Sequence, residues 1–228
     1  MFKSLKIYGG VTRIVSDFIR ARTDEQKAER MDEVKKVTAK LFKENPYHEI
    51  TLTTIGDELG WSRANLYKYV SSKEEIFLQL SADARDSYYN DIIKTFSKDT
   101  NLSNEEISSK WAKIANNNKN WAIYGSILVS IIETNVTLER LKQFKKEFYD
   151  QLSVLCKEVA PNIRINPDDF PNFFNTIHYH AVGLCGFCET NPLVVQAIKE
   201  LGVNRKELDF ESEMNKFILM CLNTYSNC

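Results

Sequence analysis

Three polar side chains within residues 62–69 are of the types that recognise the edges of DNA bases. Arg63 can donate two hydrogen bonds to a guanine, and Asn65 can pair with an adenine. Lys68 lies one helical turn after them on the same face. Ala64 is small and lets the backbone approach a thymine methyl group. Donors suited to phosphates surround this run, namely Thr51, Thr53, Ser62, Tyr67, Tyr69 and Lys73.

Residues 51–73 predict two short helices and the beginning of a third, which would position these side chains. Thr51 is expected to cap the first helix, Gly60 suits the left-handed turn after it, and Ser62 can cap the second. Short helices are marginal alone, so longer helices on either side must hold them. A second helix that protrudes in this way fits the major groove of B-DNA, which is about 12 Å wide. Taken alone, Leu66–Tyr69 fits an ordinary amphipathic helix equally well.

Apolar residues recur at helical spacing throughout the chain, and the predicted fold class is all-α. Only 8 Gly and 5 Pro occur in 228 residues, so long stretches lack helix breakers. The first firm helix is expected to begin near Thr23, which can form a capping box with Gln26, and to end at Asn45-Pro46. A long helix should follow Ser71 or Ser72. Further helices are expected over about 104–118, 120–134, 137–160, 167–189, 192–201 and 206–224.

The net charge of −1 argues against a purely electrostatic, non-specific binder of nucleic acid, but the charge is uneven. Residues 1–73 hold 14 Lys/Arg against 10 Asp/Glu, whereas residues 74–228 hold 16 against 21. Residues 1–22 contain no stretch that fits a secretory signal, and no apolar run is long enough to span a bilayer. With five cysteines, an odd number, the expectation is a soluble protein of a reducing cytoplasm that needs no membrane.

Two histidines and two cysteines, His178, His180, Cys185 and Cys188, invite interpretation as a metal site. All four lie on one predicted helix, and ligands from a single straight helix cannot surround a tetrahedral zinc ion. A thioredoxin-type Cys-x-x-Cys pair would need a strand–turn–helix setting. We therefore interpret the cysteines as packing residues and expect neither a metal nor another cofactor. The histidines can be core, pocket or interface residues.

The segment over roughly residues 24–80 resembles the DNA-binding domain of the TetR/AcrR family of transcriptional regulators. Trp61, Gly56 and Asn45-Pro46 depart from the usual family pattern, but Trp61 and Gly56 concern packing rather than DNA contact. The residues that carry the resemblance are Phe42, Tyr47, Thr51–Ile55, Leu59–Arg63, Leu66–Val70 and Ser72–Glu74.

The resemblance implies a ligand-released repressor that acts as a homodimer on near-palindromic double-stranded DNA, and no enzyme. It divides the chain into a basic arm (1–22), a three-helix helix-turn-helix domain (23–80) and a larger helical domain for ligand binding and dimerisation (81–228). Arg20 and Arg22 in the arm can contact the minor groove or stay solvated. The alternatives are an enzyme or interaction protein with a vestigial DNA-binding domain, and an activator without a ligand.

Aromatic side chains in the larger domain can form a pocket for an unknown small molecule or a plain core, since both use the same residue types. These candidates are Trp111, Trp121, Tyr124, Phe144, Phe148, Phe174 and His178.

A dimer interface is expected on the helices near 167–189 and 206–224, packed with their two-fold mates as a four-helix bundle. Gly183 and Gly186 would let two backbones approach closely. The alternative is that both helices only close the core of one chain. The expected interface residues are Phe170, Phe173, Ile177, Leu184, Phe187, Phe210, Met214, Phe217 and Cys221.

Overall fold

The computed structural model describes residues 24–98, 101–188, 192–204 and 207–225, and its regular structure there is helical. The predicted all-α fold is confirmed. The helices, in chain order, are α1 (Asp24–Glu44), α2 (Leu52–Leu59), α3 (Arg63–Leu66), α4 (Lys73–Phe96), α5 (Asn104–Asn117), α6 (Asn120–Ile127), α7 (Leu138–Glu158), α8 (Phe170–Cys188), α9 (Pro192–Glu200) and α10 (Phe210–Tyr225).

The predicted caps of α2, α3 and α4 are present. Thr51 and Thr54 form a reciprocal pair, in which each backbone N–H donates to the other hydroxyl at 2.9 and 3.1 Å. Gly60 ends α2 with a φ of +68°, in the left-handed region that favours glycine. Ser62 and Ser72 accept the N–H of the third residue of α3 and α4, at 3.2 and 3.3 Å. The expected cap at Thr23 and the arm over 1–22 lie outside the described residues.

Gly56 and Trp61, which both depart from the usual family pattern, are in direct contact. The backbone N–H of Trp61 donates to the Gly56 carbonyl at 2.8 Å. A Cβ added at Gly56 would lie 3.0 Å from the Trp61 carbonyl oxygen, which is tighter than ordinary packing. Glycine at position 56 therefore allows the close turn that buries the Trp61 ring beside α2.

α4 crosses the expected boundary at residue 80 without interruption, so one helix serves both parts of the chain. Its first half packs with α1, α2 and α3 in an N-terminal core that includes Ile55, Leu66 and Phe77. Its second half enters a C-terminal core made with α5, α6, α8 and α10. There the indole N–H of Trp111 donates to the Tyr88 hydroxyl at 2.7 Å.

The helix expected over 120–134 changes its geometry partway. α6 ends at Ile127, and a π-helical turn continues over Leu128–Ile132. The other observed bounds differ from the expected ones by a few residues at most. Within the described ranges, no helix is long and apolar enough to cross a membrane.

Candidate nucleic-acid interface

The face of α3 that the sequence assigned to DNA is open to solvent. Arg63, Ala64 and Lys68 are exposed and Asn65 is half-buried, while Leu66 points into the N-terminal core. α3 is a single turn, and hydrogen-bonded turns continue it through Val70. The exposed set is therefore presented on a short protrusion anchored by one buried leucine.

The four polar side chains of this face form two pairs along the helix. Nη2 of Arg63 donates to the Tyr67 hydroxyl at 2.9 Å, with the guanidinium carbon 5.3 Å from the ring centroid. Nζ of Lys68 donates to Oδ1 of Asn65 at 3.3 Å. These contacts hold two long cationic side chains over the same face, which reduces the conformational freedom they lose on binding.

Lys73 does not have the surroundings of a phosphate anchor, contrary to expectation. Its ammonium donates to the backbone carbonyls of Tyr47 and Ile50 at 2.9 and 2.8 Å and lies 3.9 Å from the Tyr47 ring. Burial lowers the pKa of Lys73, although Glu74 opposes the shift. The Tyr47 hydroxyl donates to Glu74 at 2.7 Å. Lys73 thus ties the turn before α2 to the start of α4.

The remaining expected DNA contacts fall into three groups. Thr51, Thr53 and Ser62 are exposed, although the hydroxyls of Thr51 and Ser62 also serve as helix caps. Tyr69 is half-buried, and its ring centroid lies 5.6 Å from that of Trp61. The Tyr69 ring therefore packs against the protein rather than facing outward. Arg20 and Arg22 lie outside the described residues.

The seven expected pocket residues do not form one cluster. Tyr124 and Phe144 belong to the N-terminal core, whereas the other five contribute to the C-terminal part. Burial raises the pKa of Tyr124 to about 12. Three of the aromatic side chains, Trp111, Trp121 and Phe174, gather around Tyr88 of α4, which was not among the expected pocket residues. His178 lies against Trp121 at 4.6 Å.

Most of the expected dimer residues are wrong as interface contacts, because they fill the core of one chain. Phe187 remains exposed and Phe217 is half-buried, but the other seven cannot meet a second copy without opening that core. The buried seven are Phe170, Phe173, Ile177, Leu184, Phe210, Met214 and Cys221.

The histidines and cysteines of α8 point in different directions. His178 packs on α6, while the His180 imidazole lies flat on the Phe217 ring, 3.7 Å between centroids. Cys185 is buried, and the side chain of Cys188 lies outside the described set. Over the ranges that the structure describes, no three His, Cys, Asp or Glu side chains are grouped closely enough to hold a metal ion.

Sequence reasoning missed a buried charge in the middle of α4. Arg85 of α4 is only 4% exposed and pairs with Asp86 at 2.8 Å and Glu147 of α7 at 3.6 Å. It also donates to the Phe144 carbonyl at 3.3 Å. An arginine within the apolar stripe of a long helix was the available signal.

Comparison with known proteins agrees with this geometry. Residues 36–80 match the sequence model of bacterial regulatory proteins of the TetR family, and residues 82–225 match the tetracyclin repressor-like C-terminal domain. No curated protein matches the sequence significantly.

Two solved structures resemble the chain. A TetR-family bacterial regulatory protein from Rhodococcus RHA1 is 11% identical, with a TM-score of 0.52 over 87% of this chain and 97% of the other. A TetR/AcrR-family transcriptional regulator from Thermobifida fusca YX-ER1 is 16% identical, with a TM-score of 0.47 over 87% and 100%. The first shows the same fold. The C-terminal match alone covers more than half of the chain, which therefore belongs to the TetR family, as a transcriptional regulator with a helix-turn-helix DNA-binding domain.

Proposed function

We propose that this protein is a repressor that binds a near-palindromic operator as a homodimer and leaves DNA when a small molecule binds its C-terminal part. The observation that carries the proposal is the exposed, acid-free face of α3, with Arg63 and Lys68 each held by a neighbour on the same helix. A guanidinium in this position can donate to both acceptors of a guanine edge. One such helix reads only a few base pairs, so two copies are needed to select an operator.

The outer face of α8 supports dimer formation. Tyr179 and Phe187 are 70% and 62% exposed, and they lie on one face with Gly183 and Gly186. A Cβ added at either glycine would meet none of the described residues within 4 Å. Glycine inside a helix costs about 1 kcal/mol relative to alanine, and packing among the described residues gives no reason for that cost. Close approach of a second backbone would supply the reason.

Exposed apolar side chains also lie on α10, which packs against α8, and on α9. Met220 of α10 is 57% exposed, beside the half-buried Phe217. α9 exposes Leu193, Val194 and Val195 in succession, so apolar side chains face solvent around most of this short helix. A helix of this length is marginal in water unless it is packed. We assign these exposed apolar surfaces of α8, α9 and α10 to the contact between two copies.

The proposed release is a shift between two spacings of the paired α3 helices. A ligand changes that balance only by its difference in affinity for the two states. α4 supplies a mechanical link, because it begins at the helix-turn-helix motif and ends in the C-terminal core. Arg85 fixes the middle of α4 to α7 through Glu147.

The test is an electrophoretic mobility shift with DNA from upstream of the protein's own gene. We expect wild type to retard one fragment in the presence of excess unrelated DNA, and Arg63→Ala to retard the same fragment less selectively. Failure to select any fragment would favour an enzyme or interaction protein with a vestigial motif. A reporter assay then separates repression from activation, because deletion of a repressor raises expression and deletion of an activator lowers it.

A further inference from the structure

The indole of Trp61 lies at the turn between α2 and α3, directly before the exposed polar face of α3. It is only 9% exposed and belongs to the N-terminal core. The hydrogen bond from its backbone N–H to the Gly56 carbonyl fixes the turn from which the ring projects. Because the ring is buried, Trp61 can influence DNA binding only through the residues that it contacts.

Two side chains from different parts of the domain contact the Trp61 ring. The ring of Tyr69, in the turn that follows α3, lies 5.6 Å away between centroids, with the planes inclined by 41°. On α1, the guanidinium carbon of Arg30 lies 5.6 Å from the centroid of the indole, within the range of a cation–π contact. Nη1 of Arg30 also donates to both carboxylate oxygens of Glu33, at 3.2 and 3.0 Å. One indole thus connects α1 with the segment that ends the helix-turn-helix motif.

The orientation of α3 depends on contacts of this kind. A single turn of helix is not stable alone, and the buried residue of α3 is Leu66. One buried side chain leaves a short helix free to rotate about it, and further fixed points remove that freedom. Trp61 and Tyr69 provide such points before and after the exposed side chains of Arg63 and Lys68. A bidentate base contact needs its donors within about 0.5 Å and about 10–20° of the productive geometry.

We propose that Trp61, through its contacts with Arg30 and Tyr69, is the positioning residue that sets the orientation of α3 and with it the base selectivity of the protein. Arg30 acts through the indole rather than on a phosphate, since its guanidinium already lies at the ring and is paired with Glu33. Affinity for DNA of unrelated sequence depends on phosphate contacts, so the Trp61 contacts affect selectivity instead. This inference rests on the proposed function, because it names the residues that orient the DNA-reading helix.

The first test measures the ratio of the affinities of the full-length protein for its operator fragment and for unrelated DNA, by fluorescence anisotropy. We expect Trp61→Leu to lower this ratio about tenfold, as misalignment of one bidentate base contact implies, and to leave the affinity for unrelated DNA unchanged. Trp61→Phe keeps an aromatic ring for both partners and should retain most of the ratio. Circular dichroism checks that Trp61→Leu folds, and Trp61→Met replaces it if it does not.

Phe77→Leu is the matched control for a loss of stability alone. Phe77 is a fully buried ring of the same core, but its ring contacts are with Phe42, Tyr47 and Tyr124. This variant should be less stable to urea and keep the wild-type ratio of affinities.

Arg30→Gln separates positioning from phosphate contact. We expect it to lower the ratio of affinities in the wild-type background and to have no further effect in Trp61→Leu, because its contact with the indole is then already lost. The salt dependence of binding should keep its wild-type slope. A slope reduced by about one, or an equal loss in both backgrounds, would make Arg30 a phosphate contact and overturn its assigned role.

Hydrogen–deuterium exchange in the absence of DNA tests the positioning itself. We expect the backbone amides of residues 63–70 to exchange about threefold faster or more in Trp61→Leu, relative to those in the middle of α4, but not in Phe77→Leu. Unchanged exchange over 63–70, or a ratio of affinities that Trp61→Leu leaves at its wild-type value, overturns the inference. Faster exchange in Trp61→Leu, together with a wild type that selects no operator fragment, would contradict the proposed function and leave the orienting role of Trp61 intact.

Discussion

The ring of Tyr124 on α6 stacks on the ring of Phe42 on α1, with centroids 5.8 Å apart and planes inclined by 19°. Phe77 of α4 meets the Phe42 ring edge-on at 5.1 Å. Trp121, three residues before Tyr124, contacts His178 on α8. One turn of α6 therefore contacts both the N-terminal core and the C-terminal core, so a displacement of α6 would also move its contacts with α1.

A double-mutant cycle measures the strength of this link. We expect Phe42→Leu and Tyr124→Leu each to lower the free energy of unfolding, and their combination to cost less than the sum by about 0.5–1.5 kcal/mol, as stacked aromatic pairs do. Urea denaturation of the four proteins gives the coupling. Phe42→Leu combined with Phe148→Leu, whose ring is in the C-terminal cluster, is the control and should be additive. Additivity in the test pair would show that α6 and α1 are energetically independent.

Arg63 is expected to read one base in each half-site. Arg63→Ala should weaken specific operator binding by about 1–3 kcal/mol and relax the preference at one position, because it removes a bidentate contact to a base edge. Competition with single-base operator variants measures both effects. Lys110→Ala, which removes an exposed cation on α5, is the matched control. A uniform loss over all operator variants would instead assign Arg63 to phosphate contact.

Lys73 should matter for folding rather than for salt-dependent binding. Lys73→Ala removes the donor from two backbone carbonyls, which we expect to cost about 1 kcal/mol of stability. The salt dependence of DNA binding should stay at its wild-type slope, measured by fluorescence anisotropy between 50 and 200 mM salt, a range over which a protein with about 6–10 phosphate contacts loses about 10³–10⁵ in affinity. Lys43→Ala, at an exposed position, should leave stability within about 0.5 kcal/mol. A slope reduced by about one would restore Lys73 as a phosphate anchor.

The lowered pKa of His178 predicts that the folded protein loses stability in mild acid. Its pKa is about 4 when folded against an ordinary value of 6.5, so the unfolded chain binds the proton more readily. Stability is therefore lost as the pH falls below 6.5, with His178 contributing about 2 kcal/mol between pH 7 and pH 5. Urea denaturation at the two pH values should show a smaller loss in His178→Leu and His178→Gln than in wild type. Equal losses in all three proteins would mean that the buried imidazole does not titrate in this way.

Local signals predicted the helices and the exposed polar face of α3 because each depends on nearby residues. Thr51, Gly60 and Ser62 set the ends of α2 and α3 through contacts a few positions away. The proposed dimer face was harder to predict, since α8 is apolar on more than one side and periodicity does not tell which side a second chain would cover. Phe173 and Tyr179 are both aromatic, yet one is fully buried and the other mostly exposed. The position of Tyr124 beside Phe42 required the packing of helices 80 residues apart in sequence.

The exposed glycines of α8 give a test of the dimer in which folding and assembly respond with opposite signs. Gly183→Leu places a side chain where the described part of the single chain has no atom within 4 Å of the new Cβ, and it replaces a poor helix former with a good one. Stability of the separated chain should rise by up to about 1 kcal/mol, while the added bulk keeps two backbones apart. We expect sedimentation velocity at micromolar concentration to show a monomer, and operator affinity to fall because two half-sites are no longer read together. Val129→Leu, at an exposed position after α6, is the control and should sediment as wild type does. A dimer that persists in Gly183→Leu would place the contact between copies elsewhere on the molecule.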